Sequence, residues 1–426
     1  MNTLQDKKYI YFHYMLKKYF ADKKRLAAVT IHALLLVIAT ILMQYFPLTR
    51  PDEKDFLKWA ALWRHDLLGS DKKPLLDSVV FIDVSYDLSL IPDTTVKTDS
   101  VAPFRGPVQA ITDRAKLGYI FQMLGKHPGE YKYVICDLSF EDPAPGDSTF
   151  KSGLEKMHPF ITTAETNDAG KLIKPVFKVD YGGVNYTPLK QSTFYKMPVF
   201  YDGGLKSLPV KVYENVSGNK FTTWHGLTLL DGRLSFNYVL PELYYRQQDL
   251  VRSDAVKKAN TYYLDDLLPL GEDGFSLLKG KYIIIGNFSD DLHTTYMGKL
   301  PGCVILWNVL LTLLNHEQTI SIGWLLLLFI IYWLTSFTMF FDTSAHKTKV
   351  KEKIRDIRLP YLQKMAAKYI SYLGLLIVIN LLALLFFGTF ISLFYMATYL
   401  TLVDVVIEKY AVWMARIKRF FKREPR

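Results

Sequence analysis

Charged residues are absent from three long stretches of this chain of 426 residues: 26–49, 318–341 and 369–403. About 20 apolar residues cross the hydrocarbon core of a bilayer, so the first two stretches each predict one transmembrane helix. The third is too long for a single span and predicts a hairpin of two helices, 369–387 and 390–407, that turns near 386–390. With 50% hydrophobic and 15% aromatic residues as well, the composition argues against a soluble protein.

The common catalytic signatures are also missing. The chain has no Gly-x-Ser-x-Gly, no His-Glu-x-x-His and no phosphate-binding Gly-Lys loop, and Asp83-Val-Ser85 lacks the second Asp of an Asp-x-Asp phosphotransfer motif. His293 stands near Asp290 and Asp291, but a lone loop histidine is more often solvated than a metal ligand. The sequence therefore predicts a protein that is not an enzyme and that has no cofactor and no metal.

Cysteine is scarce. Cys136 and Cys303 are the two in the chain, and each lies among apolar residues. This setting favours two buried free thiols, with a single disulfide bridge as the alternative.

The basic residues lie in three segments. Seven Lys or Arg fall in the tail 1–25, eight in the loop 342–368 and seven in the tail 408–426. Short flanks rich in Lys and Arg stay in the cytoplasm, so four spans with both termini inside satisfy all three segments and leave 50–317 outside. Because the formal net charge of +11 follows from these segments, which face lipid headgroups, no nucleic-acid partner is expected.

The outer region has an α/β pattern. Near-continuous apolar runs at 78–84, 131–138 and 279–288 predict buried parallel strands, and 107–127 predicts a helix between the first two, giving a crossover unit. The runs "PVFKVDY", "LPVKVYE" and "RLSFNYVL", with Gly-Gly turns at 182–183 and 203–204, predict a β-rich insertion within 170–245. A helix after Pro301-Gly302 is expected to lead into the second span.

Polar side chains follow each predicted parallel strand. Ligands of open α/β sheets bind at the carboxyl ends of the strands, so the sequence predicts a small-ligand pocket there, with an arginine to balance its charge. The alternative is that these side chains only cap turns and helices. The candidate ligand-binding residues are Asp83, Ser85, Arg114, Asp137, Ser139, Asn287 and Asp291.

Four blocks resemble a known family. "SVVFIDVSYD" (78–87), Arg114 before "AKLGYIFQML", "VICDLSFED" (134–142) and 278–314 are similar in order and spacing to the second class of CHASE domain. The resemblance covers about 50–317 and implies an extracytoplasmic sensor domain, with one span before it and about three after it. The family's final block reads Pro-Gly-x-x-x-His-Ala-Asn; here Pro301, Gly302 and Asn308 match, while Leu306 replaces the histidine. In the middle element, Lys206 stands where arginine is expected.

The resemblance implies signal transduction across a bacterial cytoplasmic membrane. The predicted cytoplasmic segments of 25, 27 and 19 residues are too short for a kinase or cyclase domain. We therefore expect a sensor or scaffold that signals by self-association or through a separate membrane or cytoplasmic output protein. The alternative is an extracytoplasmic envelope enzyme that uses the strand-end carboxylates. The predicted partner contacts are Lys347, Lys349, Lys351, Lys353, Arg355 and Arg358.

Several polar residues lie in or near the predicted spans. They are His32, Asn380, Asp404 and Glu408, and polar groups at such positions are costly and often functional. Asp404 and Glu408 are one helical turn apart beside the basic loop, so pairing at the membrane interface is expected, with proton or ion movement as the alternative.

Overall fold

The structure is a computed structural model that divides the chain into two units, Arg50–Thr319 and Met1–Thr49 together with Ile320–Arg426. It describes residues 22–44, 55, 57–59, 61–62, 78–92, 108–166, 172–185, 193–252, 259–315, 318–341, 360–387 and 391–421. The six predicted partner contacts in 347–358 lie outside these residues.

A seven-stranded mixed sheet forms the centre of the first unit. Its main path runs β14 (Thr261–Tyr263), β1 (Val79–Asp83), β15 (Tyr282–Gly286), β4 (Tyr133–Asp137), β5 (Phe160–Thr166) and β6 (Leu172–Ile173), and β7 (Tyr181–Gly183) pairs with β5. All pairings are parallel except that of β5 with β6. The prediction of an α/β domain with three buried parallel strands is therefore confirmed, with β15 inserted between β1 and β4.

Both faces of the sheet are covered, which explains why its strands read as unbroken apolar runs. Alternate side chains point to opposite faces, so Val80 and Ile82 join a core with helices α2 (Arg114–Gly125), α3 (Asp147–Leu154) and α6 (Glu272–Leu278). On the other face, Phe81 packs edge-on against Tyr245, and Tyr245 packs against Trp307 of helix α7 (Gly302–Asn315). Cys136 and Cys303 are free and buried, as predicted.

The helix predicted over 107–127 is only partly correct. Residues Val108–Thr112 form strand β3, which pairs antiparallel with β2 (Leu88–Pro92), and the helix begins at Arg114. Asp113 separates the two elements because it is the N-cap of the helix: its carboxylate accepts from the backbone amides of Ala115 (2.9 Å) and Lys116 (3.1 Å). The apolar periodicity correctly predicts a helix after Asp113, but before Asp113 the same apolar residues belong to a strand.

The β-rich middle region is confirmed in part. Its short strands are β8 (Thr193–Phe194), β9 (Met197–Pro198), β10 (Phe221–Trp224), β11 (Leu227–Leu230), β12 (Arg233–Leu234) and β13 (Tyr238–Val239), and β16 (Leu292–Thr295) with β17 (Gly298–Pro301) follow later in the chain.

Two predicted features of the β-rich middle region are wrong. "LPVKVYE" lies in helix α4 (Leu208–Ser217), which has Pro209 in its first turn and ends at left-handed Gly218. The glycines at 182–183 belong to strand β7 rather than to a turn. Glycine is needed at 182 because a Cβ there would collide with the backbone of Leu208. A further short helix of the first unit is α5 (Leu264–Leu267).

In the described part of the second unit lie the helices α1 (Lys23–Gln44), α8 (Ile322–Phe341), α9 (Pro360–Phe387) and α10 (Leu393–Phe421). Within the described residues, three helical stretches are long and apolar enough to cross a membrane: Lys23–Met43, Ile322–Phe341 and Met365–Ala383. The apolar part of α10, Leu393–Ile407, is shorter. These helices indicate a membrane-associated protein.

Polar residues of this unit pair with one another. The Asn380 side chain accepts from the backbone amide of Ile391 (2.6 Å) and donates to its carbonyl (2.7 Å), which ties α9 to the start of α10. Asp404 lies 3.1 Å from Lys368 Nζ and accepts from the Tyr372 hydroxyl, so it is paired with a basic residue, and its position at a membrane interface stays a prediction. His32 lies 2.8 Å from the Ser336 hydroxyl. The Glu408 side chain lies outside the described part of the structure.

Candidate functional site

The candidate site lies at the carboxyl ends of β1, β15 and β4. The strand register aligns Asp83 with Gly286 and Gly286 with Asp137. Since neighbouring strands are about 4.8 Å apart, the two aspartates are about 10 Å apart at their Cα atoms, on either side of a glycine. The sequence correctly predicts that these acids end parallel strands, but not that Gly286 separates them.

Asp83 is completely buried and is held by Ser85. The Ser85 backbone amide donates to Asp83 Oδ1 (2.9 Å), and the Ser85 hydroxyl contacts the same oxygen. The hydroxyl oxygen in turn accepts from the backbone amides of Phe288 (2.8 Å) and Ser289 (3.0 Å). Ser85 therefore fastens the end of β1 to the loop that follows β15.

Asn287 completes this connection. Its Oδ1 lies 3.0 Å from the Ser85 hydroxyl and accepts from the backbone amides of Ser289 (3.0 Å) and Asp290 (2.9 Å). A side chain that accepts from amides two and three residues ahead stabilises a turn. For Asp83, Ser85 and Asn287, the turn-capping alternative thus describes most of the observed hydrogen bonds.

The cation at this edge is Arg252, which the sequence did not single out. Its Nη2 forms an ion pair with Asp83 Oδ2, and its guanidinium lies over the Tyr263 ring, 3.9 Å from the centroid. Its Nη1 is buried without a hydrogen-bond partner. Arg252 follows an irregular segment and is 169 residues from Asp83, so no local pattern marks it.

The predicted role of Arg114 is wrong. Its guanidinium pairs with Asp147 (2.7 Å) and lies 5.5 Å from the ring centroids of both Phe140 and Phe177. Because its side chain is 3% exposed and sits between α2 and α3, Arg114 stabilises the helical layer and does not balance the charge of the strand-end acids. Ser139 is exposed, so the Asp-x-Ser repeat of β1 and β4 does not produce two equivalent sites.

Asp137 and Asp291 meet at the first residue of α7. A Cβ atom on Gly302 would collide with Asp291 Oδ2 and lie 3.0 Å from Asp137 Oδ2, so both carboxylates lie against the first residue of α7. The Gly302 amide donates to the Asp291 carbonyl (2.9 Å), and Asp291 Oδ1 lies 2.7 Å from His293 Nε2. The helix dipole favours negative charge at this end.

The electrostatics of this second cluster are unusual. Burial, followed by the charges of Asp291 and Glu165, raises the pKa of Asp137 well above its usual range. Burial, with Glu141 and Asp291, also raises the pKa of Glu165. Crowded carboxylates of this kind retain a proton more readily than exposed ones. Among the described residues, no group of three or more His, Cys, Asp or Glu side chains is arranged to hold a metal ion.

The edge of the sheet therefore has two parts. The first, formed by Asp83, Ser85, Asn287 and Arg252, is a hydrogen-bonded network in which Arg252 Nη1 alone of the atoms discussed has no partner. The second, formed by Asp137 and Asp291, is a partly exposed carboxylate pair against the start of α7. Comparison of the chain with family models, curated proteins and solved structures finds no match.

Proposed function

We propose that this chain is an integral membrane sensor or scaffold, in which residues 50–317 form a CHASE-type domain outside a bacterial cytoplasmic membrane. The proposed topology has four spans and cytoplasmic termini, because this arrangement keeps the three basic segments inside. The three long apolar helices support the membrane part of the proposal.

The contact of Asp137 and Asp291 with Gly302 is the observation that carries the proposal. A polar ligand that binds these carboxylates acts directly on the first residue of α7, which is buried from Gly302 through Leu313. Because a buried helix is closely packed along its length, a displacement of its first residue strains the packing of the residues that follow. Helix α7 ends at Asn315 and the apolar helix α8 begins at Ile322, which gives the signal a short covalent route.

The Asp83 network has a supporting role in this proposal. Asp83 and Ser85 hold the β15 loop, and that loop carries Asp291. Ligand specificity therefore resides in Asp137 and Asp291, while Asp83, Ser85 and Asn287 keep the loop in place. Output passes through a partner protein or a second copy of the chain that contacts the basic residues of 347–358.

Cross-linking of the full chain in native membranes, followed by mass spectrometry, tests the output route. Changing the six basic residues of 347–358 to Glu is expected to remove the cross-linked partner peptides. The matched control changes six basic residues of the tail to Glu and is expected to retain them; these are Arg416, Lys418, Arg419, Lys422, Arg423 and Arg426. Partner peptides that survive the loop change and disappear with the tail change would contradict the proposed contact.

An envelope enzyme is the second candidate, and the raised pKa of Asp137 beside Asp291 favours it. A carboxyl group whose pKa is raised by burial holds its proton at higher pH, which is the property that a general acid requires. Hydrolysis of candidate envelope substrates by the purified chain, compared with Asp137→Asn, tests this function. Turnover that is unchanged in Asp137→Asn would eliminate it.

A further inference from the structure

The hairpin formed by β10 and β11 presents an exposed tryptophan at its tip. His225 and Gly226 form its two-residue turn, with left-handed φ angles of 48° and 82°. Trp224 is 60% exposed, and its ring centroid lies 5.0 Å from that of His225. Tryptophan beside a turn presents an apolar ring together with one N–H donor, a combination that is enriched at binding interfaces and at membrane surfaces, so the tip is a candidate contact surface.

The hairpin is bonded to the segment that precedes helix α8. Trp224 pairs with Leu227, and the carbonyl of the next residue, Thr228, accepts from the Ser235 amide (2.8 Å). Ser235 forms a β-bridge with Thr319, and its hydroxyl donates to the Gln318 carbonyl (2.6 Å). With strands about 4.8 Å apart, three such steps place the hairpin tip roughly 15 Å from Thr319.

The chain reaches an apolar helix directly after this bridge. Helix α8 begins at Ile322, three residues after Thr319, and it is long and apolar enough to cross a bilayer. The small sheet that carries Trp224 is therefore bonded to the chain immediately before this apolar helix. This covalent continuity distinguishes the tip from the exposed aromatic side chains Tyr86 and Tyr119 elsewhere in the same unit.

We propose that the hairpin tip, residues 222–226, docks on the lipid surface and forms a second attachment of the α/β unit to the membrane. The Trp indole suits the headgroup region because it combines an apolar ring with one N–H donor. Exposed Lys220 and Arg233 at the base of the hairpin suit anionic headgroups. One tryptophan on an otherwise polar turn is too small for a stable protein interface, so lipid is the occupant.

Spin labelling of the full chain in vesicles of phosphatidylcholine and phosphatidylglycerol tests this docking. Thr223→Cys places a label next to Trp224 and leaves Trp224 itself in place. The native thiols of Cys136 and Cys303 are buried, so the label reaches the introduced cysteine. Tyr119→Cys on α2 is the matched control, because this position is 59% exposed and lies far along the chain from the hairpin.

Collision with oxygen, which partitions into lipid, is compared with collision with a water-soluble nickel chelate. The label at 223 is expected to favour oxygen, the label at 119 to favour nickel, and Trp224→Ala to return the label at 223 to nickel. Equal nickel access at 223 and 119 would overturn the proposal. A label at 223 that is shielded from both reagents would also overturn it, since that result indicates a protein partner. Cys136 that resists labelling in every variant confirms that the unit remains folded.

Discussion

Replacing Asp83 with Ala is expected to destabilise the α/β unit far more than replacing its ion-pair partner Arg252. Asp83 is fully buried, whereas the Arg252 side chain is 38% exposed. The two variants therefore separate the contribution of the buried network from that of the visible salt bridge.

The magnitudes follow from the partners that each change removes. Hydrogen bonds to a charged group contribute about 1.5–3 kcal/mol each, and Asp83→Ala removes two from Ser85 while leaving the Ser85 amide unpaired. A partly exposed ion pair adds about 0–1 kcal/mol. We expect Asp83→Ala to cost about 4 kcal/mol in total. Arg252→Ala is expected to cost about 1–2 kcal/mol, from the screened pair and the stacking on Tyr263.

Thiol labelling of Cys136 in the full-length chain measures these changes. Cys136 belongs to the same core as Val80 and Ile82 of β1, so it reacts only when this region opens. Since about 1.4 kcal/mol corresponds to a factor of ten, Asp83→Ala should accelerate labelling by roughly 1,000-fold and Arg252→Ala by roughly tenfold. Mass spectrometry of the Cys136 peptide separates its reaction from that of Cys303.

Equal acceleration by the two variants would refute this reasoning. Equal effects would mean that Asp83 and Arg252 behave as a buried ion pair, in which removal of either partner costs about 3–5 kcal/mol. The variant Arg252→Lys provides a control, because it keeps the positive charge and loses the planar stack on Tyr263.

Two further predictions concern other ion pairs. His127 lies 3.1 Å from Glu130 and 2.9 Å from Glu272, and these hydrogen bonds raise its pKa. The charged form of His127 is the stabilising one. The wild type should therefore have a higher Tm than His127→Gln at pH values below the usual pKa of histidine, and this difference should vanish as the pH rises through the raised pKa of His127. A Tm difference that grows with pH would contradict this sign. In the helical unit, Lys368 and Asp404 are 5% and 4% exposed, so Lys368→Met should cost about 3–5 kcal/mol in bicelles. Lys368→Met with Asp404→Leu should recover most of that loss, and a double variant no more stable than the single one would argue against the pair.

The sequence predicts the sheet well because its signals are local. Five consecutive buried residues in β1 and the matching runs in β4 and β15 need both faces covered, and that requirement appears directly as an unbroken apolar run. The acids that end these strands are visible for the same reason. The strand order is not visible in the sequence, because β15 lies between β1 and β4 in the sheet but follows β4 by about 150 residues in the chain.

The partners of the site residues depend on such distant pairings. Arg114 and Arg252 look alike in the sequence, yet the first lies near two phenylalanine rings and pairs with Asp147, and the second reaches Asp83. "LPVKVYE" alternates like a strand, but Pro209 and Gly218 fit the two ends of a helix better. The partners of the two arginines thus depend on tertiary packing, whereas the helix at 208–217 follows from local end signals that its alternating pattern obscures.

Gly286 has a consequence for the variation that this chain can tolerate. It ends the strand between Asp83 and Asp137, and a Cβ at this position would lie 2.7 Å from Cys303 Cβ. Asp83 and Asp137 flank this position with side chains of their own, whereas any side chain at 286 would push α7 away from the sheet. In a saturation library selected for folding alone, position 286 should therefore retain only glycine, because the requirement comes from the packing of α7 against the sheet.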